Sequence, residues 1–301
     1  MINGNIKIDF AGQKLKMPKI ASWIAYSDQR VFAEQMRSVT VSKTKSGKYF
    51  ASILVNQEIE IEQMTTIQES KIAAFDMSAK EFLVSEIKRY ENPRFYRSNE
   101  TKLKHLHRQV SRKTKGSSNR DKARIRLARL YDRIGNQRND FQQKLSTELA
   151  SEHDAIIIED LNIEGMKRWN GSLAKSVTLD SSWNEFTRML EYKMAWRGKH
   201  LVKIDRFFPS SKMCSACGFI NHGLALDDRE WTCPSCGMHH DREVNAAINI
   251  KREGINTLRH NNITVITSDN TVGTTEIHAF GDSARPVATM ARIDEERIHV
   301  L

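Results

Sequence analysis

The sequence predicts an α/β fold carrying an inserted metal module, and three observations predict it. Short β-branched and aromatic runs alternate with helical patterns across residues 71–254, in the order hairpin, long helices, strand, helix, strand, helix. All four cysteines fall in one stretch as two Cys-x-x-Cys knuckles, with 15 residues between Cys217 and Cys233, a spacing typical of a four-cysteine zinc module. The positive charge is also concentrated: the chain carries a formal net charge of +10, and the segment Thr101 to Leu145 alone holds 14 Lys and Arg against three acids.

Composition narrows the function classes. No run approaches the roughly 18 apolar residues that cross a bilayer, and the N-terminus MINGNIKIDFAG lacks the apolar core of a secretory leader. A cytoplasmic protein with reduced cysteines is expected. The basic balance calls for a polyanionic partner, which charge alone leaves open between nucleic acid and a membrane surface.

Taken in order, residues 5–57 read as strands: IKIDF, KLKMPKI, SVTVSKT and KYFASILVN cluster β-branched and aromatic residues, with a hairpin turn in TKSGK. A small antiparallel barrel or sheet is expected over residues 1–66, either a packing platform or a nucleic-acid surface. Gln57 to Lys71 turns polar and acidic, as a linker does. The next unit opens on an apolar run ending at Asp76, followed by a polar turn and FLV, which reads as a hairpin with a carboxylate at the end of its first strand. A lone Asp there is equally a turn former.

Residues 100–150 read as a helical hairpin. Leu127, Leu130, Ile134, Phe141, Leu145 and Leu149 recur at helical spacing, and Lys115 to Asn119 breaks the pattern, with Ser118 or Asn119 as N-cap of the second helix. Its faces are basic with few interspersed acids, which favours contact with phosphates through Arg112, Lys113, Lys115, Arg120 and Arg124 over mere solvation. DAIIIEDLN then reads as a strand buried on both faces, with Glu159 where it leaves the core. Trp183, Phe186, Met189, Leu190, Tyr192 and Met194 to Trp196 mark a helix whose aromatics pack in the core, and residues 200–205 form another strand. Arg206 and Lys212 flank the approach to the cysteine knuckles and are candidate phosphate contacts.

Cys214, Cys217, Cys233 and Cys236 can supply four tetrahedral thiolates to a structural Zn²⁺ over residues 214–240; two disulfides or four unrelated thiols are the alternatives. Gly218 and Gly237 follow the second cysteine of each knuckle, where positive φ is easily accommodated. Four cysteines complete a tetrahedron, so His239 and His240 are expected to touch the site rather than ligate. Asp241 opens a helix over residues 241–254, with Val244, Ala247, Ile248 and Ile250 as its packing face and Gly254 as its stop. Asp241 is a helix cap if it stands alone. With Asp76 and Glu159 it makes three carboxylates at element ends that can converge at one sheet edge, a set suited to two Mg²⁺ ions about 4 Å apart acting on a phosphodiester. The tail from residue 255 lacks helical period and is expected to be disordered.

These residues carry a resemblance. FDMSAKEFLVS, the run from Tyr90 to Ser146, IIIEDLNIEGM, DRFFPSSKMCSACG, DREWTCPSCG and HHDREVNAAINIKREG resemble the TnpB (OrfB) family of insertion-sequence-encoded, RNA-guided DNA nucleases, over roughly residues 10–290. The resemblance implies a RuvC-like RNase H fold in residues 67–213 and 241–254, interrupted by a zinc ribbon at 214–240 and preceded by an oligonucleotide-binding-like wedge. It implies Asp76, Glu159 and Asp241 as catalytic carboxylates holding Mg²⁺, Zn²⁺ on the four cysteines, and two partners: a guide RNA from the element's own end and target DNA. Against the family pattern, Ser78 stands where Gly is common, and 75 residues precede Asp76, so a shortened N-terminus is expected. Two functions follow: a Mg²⁺-dependent RNA-guided endonuclease, or a shortened guide-RNA and DNA binder without cleavage. A strand-transferring transposase is disfavoured, since no Tyr stands beside a His-x-His pair.

Overall fold

The computed structural model describes residues 6–28, 30–33, 35–57, 60–78, 80–162, 165, 181–225, 227–267 and 296–300. It divides into two compact units, the first comprising residues 1–60, 99–135 and 287–301 and the second residues 61–98 and 136–286.

The first unit is built on six antiparallel strands: β1 (Lys7–Asp9), β2 (Lys14–Lys16), β3 (Ile24–Ser27), β4 (Gln35–Lys43), β5 (Tyr49–Asn56) and β15 (Glu296–Val300), in the order β1-β2-β3-β15-β5-β4. β4 and β5 close through the predicted turn, where Gly47 takes φ +94° and its N–H donates to the Thr44 carbonyl at 3.1 Å. Leu15, Tyr26, Ala51 and Ile53 form its core. β15 corrects the expectation of a disordered tail: ERIHV alternates apolar and polar residues, and its backbone bridges β3 and β5, satisfying two strand edges that would otherwise be unpaired. The wider stretch 268–295 lies outside the described residues.

The first unit also holds α2 (Glu100–Ser111) and the beginning of α3 (Ser118–Glu152). The expected break separates them, with Gly116 at φ +81°. The cap lies one residue earlier than predicted: Ser117 Oγ accepts from the Arg120 amide at 3.3 Å. Leu103, Leu130 and Ile134 are buried along the apolar seam, and His107 on α2 meets the Tyr131 hydroxyl on α3 at 2.8 Å.

The second unit centres on three parallel strands in the order β11-β10-β7: β7 (Ile72–Phe75), β10 (Ala155–Glu159) and β11 (His200–Ile204). The run AIII in β10 is apolar throughout because both faces are covered. Ile156 and Ile158 pack with Phe75, Leu149 of α3, and Trp183 and Phe186 of α4 (Trp183–Ala195). Ala155 and Ile157 face Ala246, Ile250 and Leu258 of α5 (Arg242–His260). The aromatics of α4 are core residues, as expected: Phe186 meets Phe82 edge-on at 4.9 Å.

Three sequence expectations need correction here. The polar stretch 57–71 is not merely a linker: β6 (Thr66–Gln68) pairs in parallel with β14 (Thr264–Ile266) and buries Ile67. The hairpin after Asp76 is β8 (Glu81–Val84) with β9 (Arg89–Glu91), while β7 joins the parallel sheet and Asp76, just past its end, bridges Val84 of β8. Gly254 does not stop the last helix, which runs to His260. A Cβ there would collide with the Ile157 side chain, so glycine serves the close approach of α5 to β10. A single turn, α1 (Phe95–Ser98), precedes α2, and β12 (Glu230–Thr232) and β13 (His239–Asp241) form a hairpin. No helix among the described residues is long and apolar enough to cross a membrane.

Candidate metal centre and carboxylate site

The two cysteine knuckles fold identically. Gly218 N–H donates to the Cys214 carbonyl and Gly237 N–H to the Cys233 carbonyl, both at 2.9 Å; Cys214 and Cys233 donate in turn to Phe219 and Met238 at 2.8 Å. Both glycines sit at positive φ, +79° and +75°, which explains the repeated Cys-Gly. The four sulfur atoms lie within 4.8 Å of one another. Cys214 and Cys236 are 3.7 Å apart, and Cys217 and Cys233 3.6 Å. A disulfide requires about 2.05 Å, whereas thiolates about 2.3 Å from a tetrahedral ion stand about 3.8 Å apart. The cluster therefore has the geometry of a metal site such as zinc, and all four thiols are free of disulfides. The Phe219 backbone amide is the foremost influence pulling the Cys217 thiol down, to about 7, so that a thiolate is available near neutral pH. His240 is buried with its Nε2 3.0 Å from Cys214 Sγ and its ring against Trp231, the contact role expected of it.

Asp76 and Glu159 end neighbouring strands. Ile158 pairs with Phe75 in parallel register, so the following residues, Glu159 and Asp76, emerge side by side at the carboxyl end of the sheet. Burial raises the Asp76 pKa to about 8; Glu159 and then Glu243 add to the rise, while Arg242 and Arg229 oppose it. Burial also raises Glu159, against the opposing hydrogen bond from the Ser210 hydroxyl and the charge of Arg242. These two half-buried acids, partly desolvated beside each other with arginines at hand, form the most perturbed carboxylate pair among the described residues.

Asp241 takes the helix-capping position. Its Oδ1 caps α5 by accepting from the Val244 amide at 3.0 Å, and its Oδ2 accepts from Arg89 at 2.7 Å. Arg89 also holds Glu81 at 2.8 Å. The acid of α5 that acts on Asp76 is Glu243, buried in the first turn and paired with Arg229. The sequence carried a signal for it. Glu243, Ala246, Ala247, Ile250 and Gly254 recur at helical spacing on one face, and all five are buried. Val244 and Ile248, assigned to that face, are only half-buried. Among the described residues, the metal-capable groups within 4.8 Å of one another are the four cysteines; Asp76, Glu159 and Glu243 are less closely gathered.

Of the predicted phosphate contacts, Arg112, Lys113, Lys115, Arg124 and Lys212 are exposed and Arg120 is half-buried. Arg124 stands 3.6 Å from Asp121, and Arg206 is engaged by Asp160.

Comparison with known proteins bears on both sites. The family described as "Cas12f1-like, TNB domain" matches residues 183–250, and that described as "Probable transposase" matches residues 52–170. A Streptomyces pristinaespiralis protein named "Putative RNA-guided DNA endonuclease" is 43% identical over 72% of this chain and 53% of its own length. "Putative RNA-guided DNA endonuclease InsQ" of Escherichia coli K12 is 30% identical over 83% of this chain and 64% of its own. The chain thus spans between about half and two thirds of these relatives. A Cas12f1–sgRNA–target DNA complex aligns with a TM-score of 0.46 at 18% identity, covering 67% of this chain and 45% of that one. By these sequence matches the chain is similar to the family described as "Probable transposase" and to proteins named RNA-guided DNA endonucleases.

Proposed function

We propose that the protein is an RNA-guided DNA endonuclease whose hydrolytic centre is the Asp76–Glu159 pair at the carboxyl end of the parallel sheet. The side-by-side emergence of two half-buried carboxylates, both raised in pKa, at the ends of β7 and β10 is the observation that carries this reading. A parallel sheet flanked by α3, α4 and α5, with acids at its strand ends, supports a RuvC-like RNase H fold. Glu243, rather than the cap residue Asp241, serves as the third acid, because it shares the buried surroundings of Asp76. Mg²⁺ held by these oxygen ligands would activate a water and stabilise the leaving oxygen of a phosphodiester. The protein's own part is to hold the acids partly out of bulk water and to keep Arg242 and Arg229 beside them, whose positive charge opposes the rise in the Asp76 pKa without reversing it.

Zn²⁺ on the four cysteines is structural in this reading, since the thiolates fill its tetrahedron. Residues 1–66 act as an oligonucleotide-binding-like wedge. The exposed Arg112, Lys113, Lys115 and Arg124, with Arg120, and also Lys212 and Arg206, contact phosphates of guide RNA or target DNA. Purified protein carrying RNA from its element's end is expected to cut matching DNA only in Mg²⁺; Asp76→Ala abolishes cutting while RNA stays bound. Cutting that survives Asp76→Ala would refute the assigned centre.

A second reading is a guided binder that does not cut. It is favoured by the engagement of Glu243 with Arg229, and the metal-capable group among the described residues is that of the four cysteines rather than of the acids. Tight, RNA-dependent DNA binding without cutting in Mg²⁺ or Mn²⁺ would select it.

A further inference from the structure

The turn that leads from β11 into the first cysteine knuckle is bound on two sides. Its residue Ser210 is buried. Its hydroxyl donates to Glu159, and its carbonyl accepts from Asn249 Nδ2 at 2.8 Å and from Asn245 Nδ2 at 3.5 Å. The same two asparagines, one helical turn apart on α5, also donate to the Met213 carbonyl, at 2.6 Å from Asn249 and 2.8 Å from Asn245. Asn245 Oδ1 accepts from the Ser215 amide at 2.9 Å, and Arg252 reaches the Ser215 carbonyl at 2.8 Å. Both neighbours of Cys214 in the chain are therefore held by α5, and the turn before them is tied to Glu159. Asn245 and Asn249 are 1% and 0% exposed, so these bonds form away from competing water.

We infer that Ser210 is a positioning residue for Glu159, and that the asparagine clamp fixing the first cysteine knuckle to α5 also fixes Ser210, coupling the four-cysteine module to the carboxylate site. The inference rests on the reading of Asp76 and Glu159 as metal-binding acids. The geometry gives the coupling a direction. A serine hydroxyl meets a given acceptor only where its backbone is held within reach, and here Asn249 holds the Ser210 carbonyl while the Ser210 hydroxyl meets the carboxylate. Loosening the clamp lets Ser210 drift and frees Glu159 to rotate away from Asp76. Partners that orient metal ligands in this way affect metal affinity by about 10–100-fold.

The test is Mn²⁺ binding to the full chain, followed by the loss of the free-ion EPR signal, with zinc content and melting temperature measured alongside. Asp76→Ala is expected to abolish tight Mn²⁺ binding. Ser210→Ala, which removes one oxygen and leaves the fold intact, weakens it about tenfold at unchanged zinc content. Asn249→Ala weakens it similarly, and the double variant is no weaker than either single one, because both changes break the same link. Mn²⁺ affinity unchanged by Ser210→Ala, while Asp76→Ala abolishes binding, would overturn the positioning role and leave the carboxylate site standing. Additive losses in the double variant would overturn the coupling. Tight Mn²⁺ binding retained by Asp76→Ala would remove the carboxylate site itself, and this inference with it.

Discussion

Asp76 sets the pH behaviour expected at the level of single residues. Folded Asp76 keeps its proton to about pH 8, against an unperturbed value of 3.8. The folded state therefore binds more protons through that window, and this group lowers stability as pH rises from about 4 to 8. Asp76→Asn should accordingly raise the melting temperature of protein without added divalent cation more at pH 8 than at pH 5; an equal shift at both would contradict the burial argument. Lys193 gives the opposite slope. It is buried on α4, donating to the Gln143 carbonyl at 2.8 Å and to the Ser146 and Thr147 hydroxyls at 2.7 and 2.8 Å, and burial lowers its pKa from 10.5 to about 8. The unfolded chain binds the extra proton between those values, so stability rises with pH there. Lys193→Met should melt no lower than the parent at pH 7 and fall below it at pH 10.5, as scanning calorimetry would read. Asp76 and Glu159 were legible in the sequence because each ends an apolar run. Glu243 carried only the signal of its place in the packing stripe of α5, where an acid reads as an interruption of that stripe, and Ser210 carried none, since a serine in a turn has no pattern.

At the scale of elements, the knuckles, the helical hairpin and the buried strand β10 were legible because local chemistry dictates them: Cys-x-x-Cys-Gly, heptad-like leucines, and an unbroken AIII. What escaped depends on distant partners. Glycine late in a helix reads as a terminator, and only the approach of Ile157 from β10 reveals why Gly254 lies inside α5. Gly254→Ala should therefore cost about 1–3 kcal/mol by overpacking, partly recovered by Ile157→Val, as chemical denaturation would measure; a neutral or stabilising Gly254→Ala would restore the terminator reading. β14 and β15 were missed likewise, since a five-residue or shorter strand becomes a strand through the edge it pairs with, β6 in one case and β3 and β5 in the other. The thiol cluster predicts one Zn²⁺ per chain, released by a chromogenic chelator. Cys217→Ser should lower that stoichiometry or speed release at least tenfold, following the loss of a thiolate ligand.

For the whole molecule, the chain's excess of positive charge, concentrated in residues 101–145, should make the proposed RNA binding salt-dependent. Each phosphate contact to a single strand contributes about 0.7 to the slope of log K against log salt. Replacing Arg112, Lys113 and Lys115 together by Gln should reduce that slope by about 2, and an unchanged slope would show that these side chains face solvent only. The class of the molecule, α/β with a cysteine module and a basic helical segment, was readable because charge, cysteine spacing and hydrophobic period each point to it independently. Which acid the proposed centre takes from the start of α5 was not, because Asp241 and Glu243 are two residues apart and differ only in which way the first turn of α5 directs them. That difference is also the sharpest trial of the proposed centre. Single-turnover DNA cleavage by the RNA-loaded protein in Mg²⁺ should fall by about a thousandfold or more in Asp76→Ala, Glu159→Gln and Glu243→Gln, where metal-held charge is lost, and stay within about tenfold of the parent in Asp241→Asn, which keeps a helix-capping oxygen. Full activity in Glu243→Gln, or cleavage retained by Asp76→Ala, would contradict it.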